Sequence, residues 1–128
     1  EGSEGEDSTE ARLSKLITGP GQTFIYLYDF GDGWAHRIEV EDAHVSADPG
    51  WIPWLVDGAR RGPPEDCGGV DGYQRLIEAA KAPRESLDED DREFVEWAGD
   101  DFDPEKFNVA QARHALLLAA AWGCLKRR

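Results

Sequence analysis

Phe24-Ile-Tyr-Leu-Tyr-Asp-Phe-Gly-Asp-Gly-Trp-Ala-His-Arg-Ile-Glu-Val-Glu41 reads as two strands joined by a tight turn. Asp32-Gly33 is the turn signal, because a two-residue type I′ hairpin needs positive φ at both central positions. With the bend there, Gly31 faces Trp34, Asp29 faces His36, Leu27 faces Ile38 and Ile25 faces Val40. Side chains alternate across a strand, so each pair shares a face. One face then reads Ile25, Leu27, Asp29 with Trp34, His36, Ile38 and Val40. The other reads Phe24, Tyr26, Tyr28, Phe30 against Ala35, Arg37, Glu39 and Glu41. The first strand is apolar on both sides, as in a more central strand. The same register sets Tyr28 beside Arg37, a stacking contact.

The Asp29/His36 pair is the one polar island on the apolar face. A carboxylate beside an imidazole favours the charged form of both. Two readings are open. The pair is a structural hydrogen bond that fixes the turn, as polar groups near a core are usually paired. Or it is the start of a site, since interacting ionisable pairs gather where chemistry is done. Both need the two-residue turn, because a one-residue slip moves every side chain to the other face.

The chain has 128 residues, enough for one domain with a core of its own. Residues 1–10 read as a disordered acidic tail, 11–125 as a single α+β domain, and 126–128 as a basic tail. No run of 18 apolar residues would cross a membrane, and no cationic-then-apolar leader opens the chain. The chain starts at Glu1 and contains no methionine, which reads as a fragment or a processed product. Cys67 and Cys124 allow one disulfide at most, and without an export signal they read as thiols of a cytoplasmic protein.

The net charge is −13. Residues 84–106 hold eleven acids against Arg84, Arg92 and Lys106, a local net of −8. The only bases after residue 112 are Arg113, Lys126, Arg127 and Arg128. Such a chain lacks the basic footprint that phosphate backbones require, which argues against direct nucleic-acid binding. The acidic stretch reads as a solvated face or as a surface for a basic partner.

Elsewhere, 11–17 makes a short helix stopped by Gly19-Pro20-Gly21. Trp51-Ile-Pro-Trp-Leu-Val56 is apolar but broken by Pro53, an edge or no strand at all. Its tryptophans read as core or as cover for the sheet. Gly58 to Gly72 is too rich in Gly and Pro for regular structure, and is either a linker or an ordered loop with a task. Asp71 is placed to cap a helix over 72–81 with Tyr73, Leu76, Ile77 and Ala80 as its stripe. Ser86 or Asp88 caps a second helix to Ala98, with Phe94, Val95 and Trp97 buried. Asn108 caps a third helix from Val109 to about Gly123, apolar nearly all round. Phe102 and Phe107 anchor the acidic loop between them.

Four motifs occur in order: Tyr28-Asp-Phe-Gly-Asp-Gly-Trp-Ala-His36, Pro63-Pro-Glu-Asp-Cys-Gly-Gly69, Gly72-Tyr73 and Asp101-Phe-Asp-Pro-Glu-Lys-Phe107. Together they resemble the plasmid pRiA ORF-three-like family, whose members are also labelled insertion-element passenger or TnpR-like proteins. The resemblance covers about residues 13–112. It implies an α+β domain with a small antiparallel or mixed sheet packed by three C-terminal helices, and no established activity. Family members begin with a further segment that includes a strand, so this chain corresponds to the C-terminal two-thirds of the family fold. Were that segment to supply strands, an edge and apolar surface would be left for self-association. A resolvase activity would require an activated Ser among clustered Arg, and the residues show none.

The candidate binding residues are Tyr28, Asp29, Asp32, Trp34, His36, Pro64, Glu65, Asp66 and Cys67. Asp29, His36, Glu65 and Asp66 are the candidates for acid/base work or for holding a hard cation. His36 and Cys67 are weak zinc candidates, because neither a Cys-x-x-Cys pair nor two His at helical spacing is present. No cofactor is expected, and His44 and His114 read as structural. The leading expectation is a non-enzymatic interaction domain that meets a protein partner through the hairpin and the Pro63–Gly69 loop. The alternative is a small enzyme or ligand-binding protein whose four acid/base candidates line one pocket.

Overall fold

A computed structural model describes residues 12–44 and 53–126, the side chains to residue 123. The chain divides into two compact units, residues 1–47 and 48–128. The first carries helix α1 (Leu13–Leu16) and an antiparallel hairpin of β1 (Thr23–Tyr28) and β2 (Trp34–Glu39). The second carries α2 (Gly69–Lys81), a 3-10 turn (Arg84–Ser86), α3 (Glu89–Ala98) and α4 (Val109–Lys126). The class is α+β.

The hairpin register differs from the sequence expectation. Tyr28 pairs with Trp34, Leu27 with Ala35, Tyr26 with His36, Ile25 with Arg37, Phe24 with Ile38 and Thr23 with Glu39. The connection is therefore five residues, 29–33, not two. Asp29 takes a left-handed backbone (φ 57°) and its carbonyl accepts the Gly33 N–H at 2.6 Å. Its carboxylate accepts from the Gly31 N–H at 3.0 Å and the Asp32 N–H at 3.4 Å. This is an aspartate-seeded turn, and Asp is one of the few residues that tolerates the left-handed region. The shift is an odd number of residues, so it exchanges the faces across the ladder. Phe24, Tyr26 and Tyr28 now share a face with Trp34, His36 and Ile38. Arg37 shares its face with Ile25, and the Tyr28–Arg37 stacking does not form. The ladder continues past β2, where the Val40 N–H donates to the Gln22 carbonyl at 2.8 Å and Gly21 N–H to the Val40 carbonyl at 2.7 Å. Gln22 fastens this end: its amide donates to Leu16 O at 2.7 Å, and its oxygen accepts from Thr18 N–H at 2.6 Å.

In the second unit Leu76, Ala79 and Val95 form the core, with Tyr73, Leu87, Phe94, Ala98 and Phe102 packed against it. α2 starts three residues earlier than its stripe indicates. The left-handed Gly68 (φ 95°) is its N-cap, and Asp71 lies in the first turn, where it still suits the helix dipole. α3 is capped by Asp88, whose carboxylate accepts the Asp91 N–H at 2.8 Å, and closed by Gly99. Asn108 Oδ1 accepts the Gln111 N–H at 3.0 Å and so starts α4. Trp97, expected inside, is 53% exposed and stacks on Phe94 with centroids 5.6 Å apart. The expected roles of Trp51 and of the Cys124 side chain fall outside the described residues.

Candidate functional site

The Pro63–Gly69 motif belongs to an ordered segment, not a slack linker. Two arginines hold it. From α4, Arg113 donates through Nε to Leu55 O and through Nη2 to Val56 O, both at 2.7 Å. Its guanidinium lies 4.7 Å from the Trp54 ring centroid. Trp54 is therefore not core; it is an exposed plate for a cation. Arg61 is the second anchor. Its N–H donates to Pro104 O at 3.0 Å, its Nη1 to Asp101 O at 3.1 Å, and its guanidinium covers the Phe102 ring at 5.3 Å. The Arg61 carbonyl in turn accepts the Tyr73 hydroxyl at 2.7 Å. Farther along, a Cβ on Gly58 would lie 2.6 Å from the Phe107 ring, so that ring closes directly on backbone. Both phenylalanines of the acidic loop are anchors, as expected. What they grip is the 58–62 segment and the α2–α3 core.

The loop then delivers Cys67 into the interior. Cys67 is 4% exposed, with Sγ 4.0 Å from Gly69 O. Asp66 reaches it through a left-handed backbone (φ 58°), while Glu65 and Asp66 stay at the surface. Pro64 is half-buried. The Tyr73 phenol is held above its ordinary titration range, chiefly by burial and next by the adjacent Cys67.

The hairpin candidates sort differently. Asp29 and His36 do not meet. Asp29 serves the turn, while His36 lies opposite Tyr26, with ring centroids 5.8 Å apart and Nδ1 3.3 Å from the Tyr26 carbonyl. The proposed acid–imidazole centre is thus dissolved by the five-residue loop. Asp32 sits in that loop, and Tyr28 faces Trp34 at the last rung before it. His44 and His114 are exposed. Among the described residues, no three of His, Cys, Asp and Glu gather as a metal would need.

Sequence reasoning passed over Arg61, Lys106 and Arg113. Arg61, Lys106, Phe107, Asn108, Gln111 and Ala112 line an open groove of about 780 Å³ beside the start of α4. Only Arg113 stands apart in the sequence, the one Lys or Arg between Lys106 and Lys126, and that alone does not show what it binds. Arg61 and Arg113 each engage both a carbonyl and a ring.

No described helix is long and apolar enough to cross a membrane. The curated protein "Uncharacterized protein y4hQ" of Sinorhizobium fredii is 37% identical over 130 residues, covering 97% of this chain and 65% of that protein. The crystal structure of the protein of unknown function MM3350 from Methanosarcina mazei Go1 matches with a TM-score of 0.65 and 34% identity, over 86% of this chain and 62% of that one. The chain thus spans somewhat less than two-thirds of either relative. Residues 1–111 match the family described as "Plasmid pRiA4b ORF-3-like protein". This chain belongs to the plasmid pRiA4b ORF-3-like family.

Proposed function

We propose that this chain is a non-enzymatic protein-interaction module of a mobile-element-associated protein, with the hairpin as its principal recognition surface. One observation carries the reading. β1 exposes large apolar side chains on both faces, Ile25 and Leu27 on one and Tyr26 and Tyr28 on the other. A two-stranded hairpin is marginal in water by itself and gains stability when its faces or edges are covered. Exposed apolar surface of this kind is characteristic of recognition sites. The Pro63–Gly69 loop supplies the second contact, because it runs from Arg61, bonded to Asp101 O and Pro104 O, into the buried Cys67 and the Gly68 cap of α2, while Glu65 and Asp66 remain outside. A rigid loop loses little entropy on binding. The alternative pocket reading loses its central pair, since Asp29 is committed to the turn.

The test is affinity capture with the full-length protein from its own cells, alongside Ile25→Ser/Leu27→Ser and Glu65→Lys/Asp66→Lys variants checked by circular dichroism. The reading expects a stoichiometric protein partner retained by wild type and lost from the hairpin variant, with weaker retention by the loop variant. Capture of no protein, or capture indifferent to both variants, overturns it.

A further inference from the structure

We propose that Asp57 is a site of spontaneous isomerisation, at which the main chain reroutes through the side-chain carboxyl and lets go of Arg113. The chain holds three Asp-Gly steps, Asp32-Gly33, Asp57-Gly58 and Asp71-Gly72. In each, the glycine has no side chain to shield its nitrogen from the aspartyl carboxyl, and its backbone bends freely. The reaction begins when that nitrogen attacks Cγ of the protonated carboxyl. A C–N bond forms, the carboxyl C–O bond breaks, and the hydroxyl leaves as water with the N–H proton. The product is a cyclic succinimide. Water then adds to one of its carbonyls. Opening at Cγ restores aspartate. Opening at the main-chain carbonyl leaves an isoaspartyl link, with an extra backbone atom and a free α-carboxylate. No other reactant enters, and the two links are isomers.

The structure separates the three steps. The Gly33 N–H is committed across the hairpin loop to Asp29 O at 2.6 Å. The Gly72 N–H is bonded to Gly68 O at 3.2 Å inside α2, where helical ψ holds the preceding Cβ out of plane with that nitrogen and opposes ring closure. Asp57 is different. Its Oδ1 accepts the Gly58 N–H at 2.8 Å, so the carboxyl lies against the nitrogen that attacks it. Both residues are exposed, in a stretch with no helix or strand to resist the ring. Reactants held this way start close to an attack geometry. Gly58 is also required where it stands, because a Cβ there would lie 2.6 Å from the Phe107 ring. Packing therefore excludes the side chain that would slow the reaction. The consequence is local. Leu55 and Val56, just before Asp57, give their carbonyls to Arg113, and Phe107 closes on Gly58 just after it. An atom added between two fixed points pulls one of them out of place. The hydrogen bonds give first, because they weaken steeply with angle.

The experiment is peptide mapping of the full chain after weeks in mildly acidic buffer, folded and in urea. Electron-transfer fragmentation tells isoaspartate from aspartate at each step. The proposal expects isoaspartate to accumulate at Asp57 about tenfold or more faster than at Asp32 or Asp71 in the folded protein, with the three rates converging to within about threefold in urea. Equal or slower accumulation at Asp57 in the folded chain overturns it. So does a ratio that survives in urea, since the preference would then belong to the local sequence and not to the fold. Hydrogen exchange is the second readout, with Asp57→Glu as the control, because the longer side chain would have to close a larger and slower ring. Once isoaspartate has formed, aged wild type should lose protection over 54–58 while equally aged Asp57→Glu keeps it. Protection equal in aged and fresh wild type, or lost equally from the glutamate variant, overturns the release of Arg113.

Discussion

Gly72 lies where α2 passes closest to the loop before it, and a Cβ there would overlap the Cys67 carbonyl. Gly-to-Ala inside a helix ordinarily stabilises by about 1 kcal/mol through propensity. Here the clash is with backbone, which cannot rotate away, so the strain of overpacking exceeds that gain. Gly72→Ala is expected to cost a net of about 2 kcal/mol, read as a lower urea midpoint with an unchanged slope. Tyr73, the next residue, supplies a pH signature. Burial raises its folded-state pKa above the ordinary value of 10.0. A raised folded pKa means the unfolded chain releases the proton first. Stability is then complete below about pH 10 and is lost as pH rises through the folded value. Urea midpoints from pH 9 to 11.5 should therefore fall more steeply for wild type than for Tyr73→Phe. That variant should also lose about 1 kcal/mol at neutral pH with the bond to Arg61 O. Equal alkaline slopes for the two proteins would show that the phenol is not the group responsible.

At the scale of elements, what was legible in the chain depended on how local the signal was. Asp88, Gly99 and Asn108 mark helix ends through bonds spanning three residues, and all three act as their types suggest. The alternation within each strand was also legible. The pairing between strands was not, because it depends on loop length. Asp32-Gly33 fits a two-residue turn, yet Asp29 accepts two loop N–H groups and closes a five-residue one. Every pairing across the ladder changed with it, including the candidate Asp29/His36 centre. The start of α2 was hidden for a similar reason, as Gly68 and Gly69 read equally well as loop or as left-handed cap. The roles of Arg61 and Arg113 were illegible because their partners lie 40 to 58 residues away. Arg113 carries the clearest consequence. It is half-buried and bonded to two successive carbonyls, with Trp54 beneath it. Arg113→Ala leaves both carbonyls without that donor and should cost about 2–3 kcal/mol. Arg113→Lys cannot fork to both and should recover less than half. Hydrogen exchange should localise the loosening to 54–58. Protection there unchanged in the alanine variant would show that the strap is held by other contacts.

The whole molecule is governed by its charge. A net of −13 on 128 residues makes the folded state work against its own field, since compaction brings like charges together. The acids concentrate between Arg84 and Lys106, where α3 opens with Glu89, Asp90 and Asp91 in one turn. Against this stand exposed ion pairs: Arg75–Asp91 at 2.6 Å, Lys81–Glu105 at 3.2 Å and Arg60–Glu105 at 3.6 Å. Salt weakens both terms, so the sign of its effect measures which is larger. Exposed pairs contribute about 0–1 kcal/mol each, and each engages only its immediate partner. The repulsion sums over many unpaired carboxylates within a screening length of about 10 Å at 0.1 M. The repulsive term should dominate. Melting temperature should therefore rise by about 3–6 °C between roughly 10 and 150 mM sodium chloride, corresponding to about 1 kcal/mol. Potassium chloride should give the same rise, because screening depends on ionic strength and not on the identity of the ion. Removing two repelling acids should mimic salt: Asp90→Asn/Glu93→Gln should melt higher than wild type at 10 mM and near it at 150 mM. A melting temperature that falls with salt would mean that the ion pairs outweigh the field, and that the acids of α3 are stabilising where they stand.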